Sequence, residues 1–329
     1  MTSYAIGVDL GGTNLRIAAV DESGKMLAKT ALGTEVSRGR EFVVDELSRS
    51  ILELQQRFRS TAELCGIGVG VPGLLDSETG RMVRSPNLPG WEDYDVKGDI
   101  EHRVGAKVIL ENDANVAAVG EQWLGAGRNA ESLCMYTLGT GVGGGLILDG
   151  KLWRGWNGMA GELGHCNVEP EGHPCKCGSW GCLEQYASAT AMVRLAQEAL
   201  ASGAESSMRE AKELSSLAVY ECAMSGDRLA RQVFERVGRA LGLAIASMVN
   251  AMNVGLFVIG GGASSAWEAF APAMFDEVRK RSYIYKYTTA EDGTGIGGRK
   301  HVTVITRAQL GGDGGLYGAA RLPMLASKS

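Results

Sequence analysis

The chain has 329 residues, 45% of them hydrophobic, which is enough for two domains with separate cores. A formal net charge of -5 with no basic patch argues against a nucleic-acid footprint. Seven cysteines, an odd number without paired spacings, argue against a disulfide scaffold, and the 47 glycines gather in a few motifs instead of forming a low-complexity tract.

The opening MTSYAIGVDL runs straight into an apolar strand with no charged n-region, long h-region or small-residue cleavage site. We therefore expect no signal peptide and a reducing, cytoplasmic setting. A Gly11-Gly12-Thr13 turn leads to a second strand over 15–20, and a Ser23-Gly24 turn leads to a third. Over 42–58, Val43, Leu47, Ile51, Leu54 and Phe58 share one helical face, and 67–71 reads as a strand. A strand over 107–110 feeds Glu111-Asn112-Asp113 and a helix reaching 124.

From Leu133 the opening plan returns. A strand over 133–138 precedes Gly139-Thr140-Gly141, a second strand follows over 145–148, and Asp149-Gly150 makes a hairpin turn. Two copies of strand, glycine-rich turn, strand and hairpin suggest an internal duplication. The stretch 240–259 is about as long as a membrane span, but Asn250 and Asn253 interrupt it. Leu229, Val233, Val237 and Leu241 follow helical spacing, so we expect an amphipathic helix over 226–252 and a buried strand over 254–259. The alternation predicts an α/β fold with a mixed, helix-covered sheet in each half, the halves facing one another across a cleft.

The segment Asp9-Leu10-Gly11-Gly12-Thr13-Asn14-Leu15-Arg16 offers bare amides, a hydroxyl and a guanidinium suited to anionic oxygens. Asp9 would repel phosphate unless a divalent cation lay between them, which points to Mg-phosphate; a plain hairpin turn is the alternative. Gly260-Gly261-Gly262 after an apolar strand can admit the flat face of a base, or simply turn the chain into a helix. Asp113 stands where strand meets helix, a place for functional groups and equally for a helix cap. With Asn112, Glu162, His165 and Glu184 it forms a polar set suited to a polyol.

The block GELGHCNVEPEGHPCKCGSWGCLE supplies His165, Cys175, Cys177 and Cys182. A Cys-Lys-Cys turn followed by Cys182 lets the backbone wrap three thiolates around one zinc ion, with His165 completing the shell; ordinary core thiols are the alternative. Four protein ligands would leave no open position, so the expected zinc is structural.

Together DLGGTNLR, GVGVPG, PNLPGW, ENDANVAAVGE, LGTGVGGG, the Cys/His block and VIGGG resemble the ROK family of sugar kinases and sugar-responsive repressors, within the hexokinase/actin-like ATPase superfamily. The resemblance covers almost the whole chain. It implies two actin-like (ribonuclease H-like) domains, a small one over 1–115 plus 310–329 and a large one over 116–309 with the zinc site. It implies that Asp113 is the base that accepts the proton of a sugar 6-hydroxyl attacking ATP, and that Asn87, Asn112, Glu162, His165 and Glu184 hold sugar hydroxyls. Asp9, Gly11, Gly12, Thr13, Arg16, Thr140 and Gly141 would serve the Mg-ATP phosphates, and Gly261 and Gly262 the adenosine. His165 would give one ring nitrogen to zinc and the other to sugar.

The implied activity is a hexose kinase acting on glucose, with N-acetylmannosamine, N-acetylglucosamine and fructose as alternatives and a homodimer as the expected assembly. A repressor of this family carries a DNA-binding extension, and only eight residues precede Asp9. Two stretches depart from the pattern: a longer, more polar 281–301, expected as a solvated loop or hairpin, and the extra glycine with Tyr317 in LGGDGGLYGAA.

Overall fold

The computed structural model describes residues 2–76, 78–289 and 302–327; most of the 281–301 stretch lies outside the described residues. The first sheet contains β1 (Thr2–Leu10), β2 (Asn14–Asp21), β3 (Met26–Gly33), β4 (Ala62–Val71) and, after the small β5 (Leu74–Asp76) and β6 (Arg81–Arg84) ribbon, β7 (Val108–Asn112). Its order is β3-β2-β1-β4-β7. The first three strands form an antiparallel meander, and β4 and β7 add in parallel. The second sheet contains β8 (Leu133–Leu138), β9 (Val142–Leu148), β10 (Lys151–Leu152), β11 (Leu256–Gly260) and β12 (Val304–Arg307), in the order β10-β9-β8-β11-β12. Numbered within its own half, each sheet reads 3-2-1-4-5, so the repeated strand-turn-strand motif is repeated in the topology too.

The helices are α1 (Arg40–Phe58), α2 (Val96–Val104), α3 (Asp113–Leu124), α4 (Glu184–Ala187), α5 (Ala189–Ala201), α6 (Ser216–Met224), α7 (Arg228–Met252), α8 (Trp267–Arg281), α9 (Tyr285–Thr288) and α10 (Gly314–Ala326). The apolar stripe of α1 is buried as its spacing predicts, with Val43, Val44, Leu47 and Ile51 in one core with Ile6, Val8 and Ile17. On the other sheet face Ala5, Ala18 and Val20 meet Leu316, Ala320 and Met324 of α10. Asp227 caps α7 by accepting from Ala230 N–H, and Asn253 ends it in a left-handed conformation at φ 48°. That helix follows the predicted 226–252 closely, and no helix among the described residues is long and apolar enough to cross a membrane.

Contacts divide the chain into two compact units. One holds 1–131, 145–161 and 309–329; the other holds 132–144 and 162–308. The first unit therefore extends past the expected 115, because α3 packs along α10 and stays with the first sheet. Glycine makes this crossing possible. A Cβ on Gly318 would overlap the carbonyl of Val116, and one on Gly120 the carbonyl of Gly314. The glycine-rich end of the chain is thus a close helix contact. Gly318→Ala should lower stability by about 1–3 kcal/mol through overpacking, read as a fall in urea midpoint with an unchanged slope.

Candidate active site and metal centre

In the first unit, Asp9, the penultimate residue of β1, lies directly opposite Arg16 of β2. The Arg16 guanidinium lies 3.5 Å from the Asp9 carboxylate and donates to Gly312 O at 2.8 Å. A Cβ on Gly315 would lie 2.9 Å from Asp9 Cγ, so the first turn of α10 abuts the carboxylate. Burial pushes the Asp9 carboxyl above its ordinary range, Arg16 pulls it down, and Asp313 pushes it up again. Such a carboxyl gains from a cation brought beside it. The turn that follows is fixed by Gly11 N–H donating to Asn14 O and Thr34 Oγ1 donating to Gly11 O, and Thr13 is exposed. Asn87 is exposed too, and its carbonyl oxygen would lie 3.0 Å from a Cβ on Gly12, which places it beside the turn.

At the end of β7 the helix-capping alternative for Asp113 is resolved by its neighbour. Asn112 is the N-cap of α3, its Oδ1 accepting from Ala114 N–H at 2.9 Å and Asn115 N–H at 3.2 Å, while its Nδ2 donates to Gly73 O at 3.2 Å. Asp113 is the first helical residue, and its Oδ1 accepts from Ala114 N–H at 2.9 Å.

In the second unit, the Gly139-Thr140-Gly141 turn is closed by Gly139 N–H to Gly141 O and held by Thr190 Oγ1 donating to Thr140 O. Glu184 sits on this turn, its Oε2 accepting from Val142 N–H at 3.1 Å. Glu162 Oε2 lies 3.8 Å from His165 Nε2. Partial burial raises the Glu162 carboxyl, His165 lowers it and Glu184 raises it, which brings the three expected sugar ligands of this unit into one electrostatic neighbourhood. Gly261 follows β11 at φ 82° and lies against the Leu138 backbone, where any side chain would clash. It and Gly262 are exposed at the carboxyl end of the strand.

The donor atoms of His165, Cys175, Cys177 and Cys182 all lie within 4.8 Å of one another. The Cys177 and Cys182 sulfurs are 3.7 Å apart, and Cys175 Sγ is 3.7 Å from His165 Nδ1. A tetrahedral zinc shell, with Zn–S ~2.3 Å and Zn–N ~2.0 Å, has S···S edges of ~3.8 Å and S···N edges of ~3.5 Å. A disulfide would need ~2.05 Å. The donor set therefore fits zinc. Cys175 N–H donates to Ser179 O and Gly178 N–H to Cys175 O, which forms the tight turn that aims the thiols inward. Burial and the neighbouring thiols push Cys182 up to about 12, a cost to the thiolate that a divalent cation removes.

Two buried carboxylates escape a reading of the sequence. Glu111 is paired with Arg154, 43 residues further on, at 2.6 Å. Glu121 accepts backbone N–H groups of Ala126, Gln309 and Leu310, tying the end of α3 to the approach to α10. The only local signal is an acid inside an otherwise apolar strand or helix face.

The ROK family model matches residues 5–324. A glucokinase of Halalkalibacterium halodurans is 35% identical over 97% of this chain and 94% of its own length, and a glucokinase of Thermotoga maritima is 40% identical over 85% and 87%. Among solved structures, a ROK family glucokinase from Streptomyces griseus in complex with glucose and AMPPNP superposes with a TM-score of 0.79 at 33% identity, covering 97% of this chain and 98% of that one. The chain belongs to the ROK family. It is a glucokinase-like sugar kinase with a two-domain ATPase fold.

Proposed function

We propose that the protein is an ATP-dependent glucokinase that transfers the γ-phosphoryl group of Mg-ATP to the 6-hydroxyl of glucose. Support comes from glucokinase relatives at 35% and 40% identity and, above all, from the division of labour at β7 and α3. Asn112 caps the helix, so Asp113 is not needed for that task and is the carboxylate assigned to take the 6-hydroxyl proton. Asn112, Glu162, His165 and Glu184 are assigned to sugar hydroxyls, with Asn87 as an additional contact. Asp9 with Gly11, Gly12, Thr13 and Arg16, and Thr140 with Gly141, are assigned to the magnesium-bound phosphates, and Gly261 with Gly262 to adenosine. Phosphoryl transfer of this kind rests on positioning and charge neutralisation, which backbone amides and Arg16 supply.

His165, Cys175, Cys177 and Cys182 would hold zinc, which when bound fixes the tautomer and orientation of His165. Nδ1 faces the thiols and Nε2 faces Glu162, so the sugar-side nitrogen is the one beside a carboxylate. We further propose a cytoplasmic homodimer, and light scattering returning a monomer mass would refute the assembly.

ADP release measured with glucose, mannose, fructose, N-acetylglucosamine and N-acetylmannosamine tests the substrate. Glucose should give the highest kcat/KM, and ATP should outperform polyphosphate as donor. Preference for an N-acetyl sugar would keep the mechanism and replace the substrate. The ROK family also includes repressors. Sugar binding without turnover, together with tight salt-sensitive DNA binding, would favour that role instead.

A further inference from the structure

We propose that Glu111 and Arg154 form a positioning pair that sets the placement of Asp113; the proposal rests on Asp113 being the base. Glu111 is 5% exposed and is the penultimate residue of β7, two residues before Asp113. One carboxylate oxygen accepts from Asn112 N–H at 3.0 Å and from Asn115 Nδ2 at 2.9 Å. The other accepts from Arg154 Nε at 2.6 Å. Three donors thus converge on one buried carboxylate, and two of them belong to residues flanking Asp113.

The Asn115 amide is oriented by its donation to Glu111. Its side-chain oxygen is buried without a hydrogen-bond partner, so its amide is oriented by what it donates to Glu111 and not by what it could accept. A buried carboxylate needs a cation, and Arg154 provides it. The backbone at Arg154 is held in turn, its carbonyl accepting from Ala160 N–H at 3.0 Å.

The consequence for chemistry is geometric. Asn112 and Asn115 define the first turn of α3, and Asp113 lies between them. If Glu111 loses its charge or its partner, the Asn112 N–H and Asn115 amide lose their common acceptor, and the turn carrying Asp113 can shift. Displacement of a reacting group by ~1 Å costs about 10²-fold in rate. Glu111 and Arg154 need touch no substrate to have this effect.

The test uses the full-length, metal-loaded protein with Glu111→Gln, Glu111→Ala, Arg154→Lys and Arg154→Met, each also combined with Asp113→Asn. Glu111→Ala and Arg154→Met should lower kcat about 10- to 100-fold, a larger factor than the rise in sugar Kd that a shift of Asn112 brings. Glu111→Gln, which keeps an oxygen for Asn112 and Asn115, should retain more activity than Glu111→Ala. In the Asp113→Asn background the same changes should add little further loss, because the group they position is already disabled. Loss of the same size in that background, or a lowered melting temperature with unchanged kcat, would overturn the pair and leave the base assignment standing. Full activity of Asp113→Asn alone would instead remove the base assignment and this proposal with it.

Discussion

Asp113→Asn should abolish nearly all sugar phosphorylation, lowering kcat by about 10²–10⁴-fold, while melting temperature and sugar affinity change little. The asymmetry follows from who does what at the start of α3. Asn112 provides the N-cap, through bonds to Ala114 and Asn115 N–H, so an amide at position 113 removes no cap. Asparagine also keeps an oxygen for Ala114 N–H, the bond that Asp113 makes. What it cannot do is accept a proton from a hydroxyl. Coupled ADP release gives kcat, calorimetry gives sugar affinity, and a thermal scan gives stability. A large loss of affinity or stability equal to the loss of rate would mean that position 113 is structural. The converse substitution, Asn112→Ala, should cost about 1 kcal/mol of stability because the cap is lost.

The sequence carried the fold where local pattern decides it. The apolar stripe from Val43 to Leu54, the capped α7 and the twice-used strand-turn-strand plan are set by spacing within a few residues, and each appears close to its expected bounds. The second strand of the later copy begins at Val142, three residues before the expected 145, because glycines at 143–145 mask a strand that its neighbours hold in place. The clustering of the Cys/His block was legible for a similar reason: His165, Cys175, Cys177 and Cys182 lie within 18 residues of one another in sequence. Glu111–Arg154 and Glu121 with Gln309 and Leu310 were not legible, since each joins residues brought together only by the fold. Nor could spacing choose between Asn112 and Asp113 as the cap. Both residue types favour that position, and only the backbone at 112 (φ -64°, ψ 144°) decides it.

Removing zinc should destabilise the protein and weaken sugar binding together. Metal analysis should return one zinc per chain, lost in Cys182→Ser, whereas Cys166→Ser, one residue from His165 but outside the four-donor cluster, should keep it. Cys182 is buried among thiols that raise its pKa, so its thiolate is costly without a cation beside it. With one, the long 162–187 segment is fixed at four points. Loss of about 3–5 kcal/mol of that constraint should lower the melting temperature by about 4–7 °C in a chain of 329 residues. On the proposed assignment the coupling to sugar runs through His165, whose Nδ1 faces the Cys175 sulfur while Nε2 faces Glu162. Freed of metal, the ring can rotate or change tautomer, and Nε2 is no longer held toward Glu162. Chelation should therefore raise the sugar Kd more than the KM for ATP. Equal effects on both would show that the metal only holds the domain together, and native protein free of zinc would remove the site altogether.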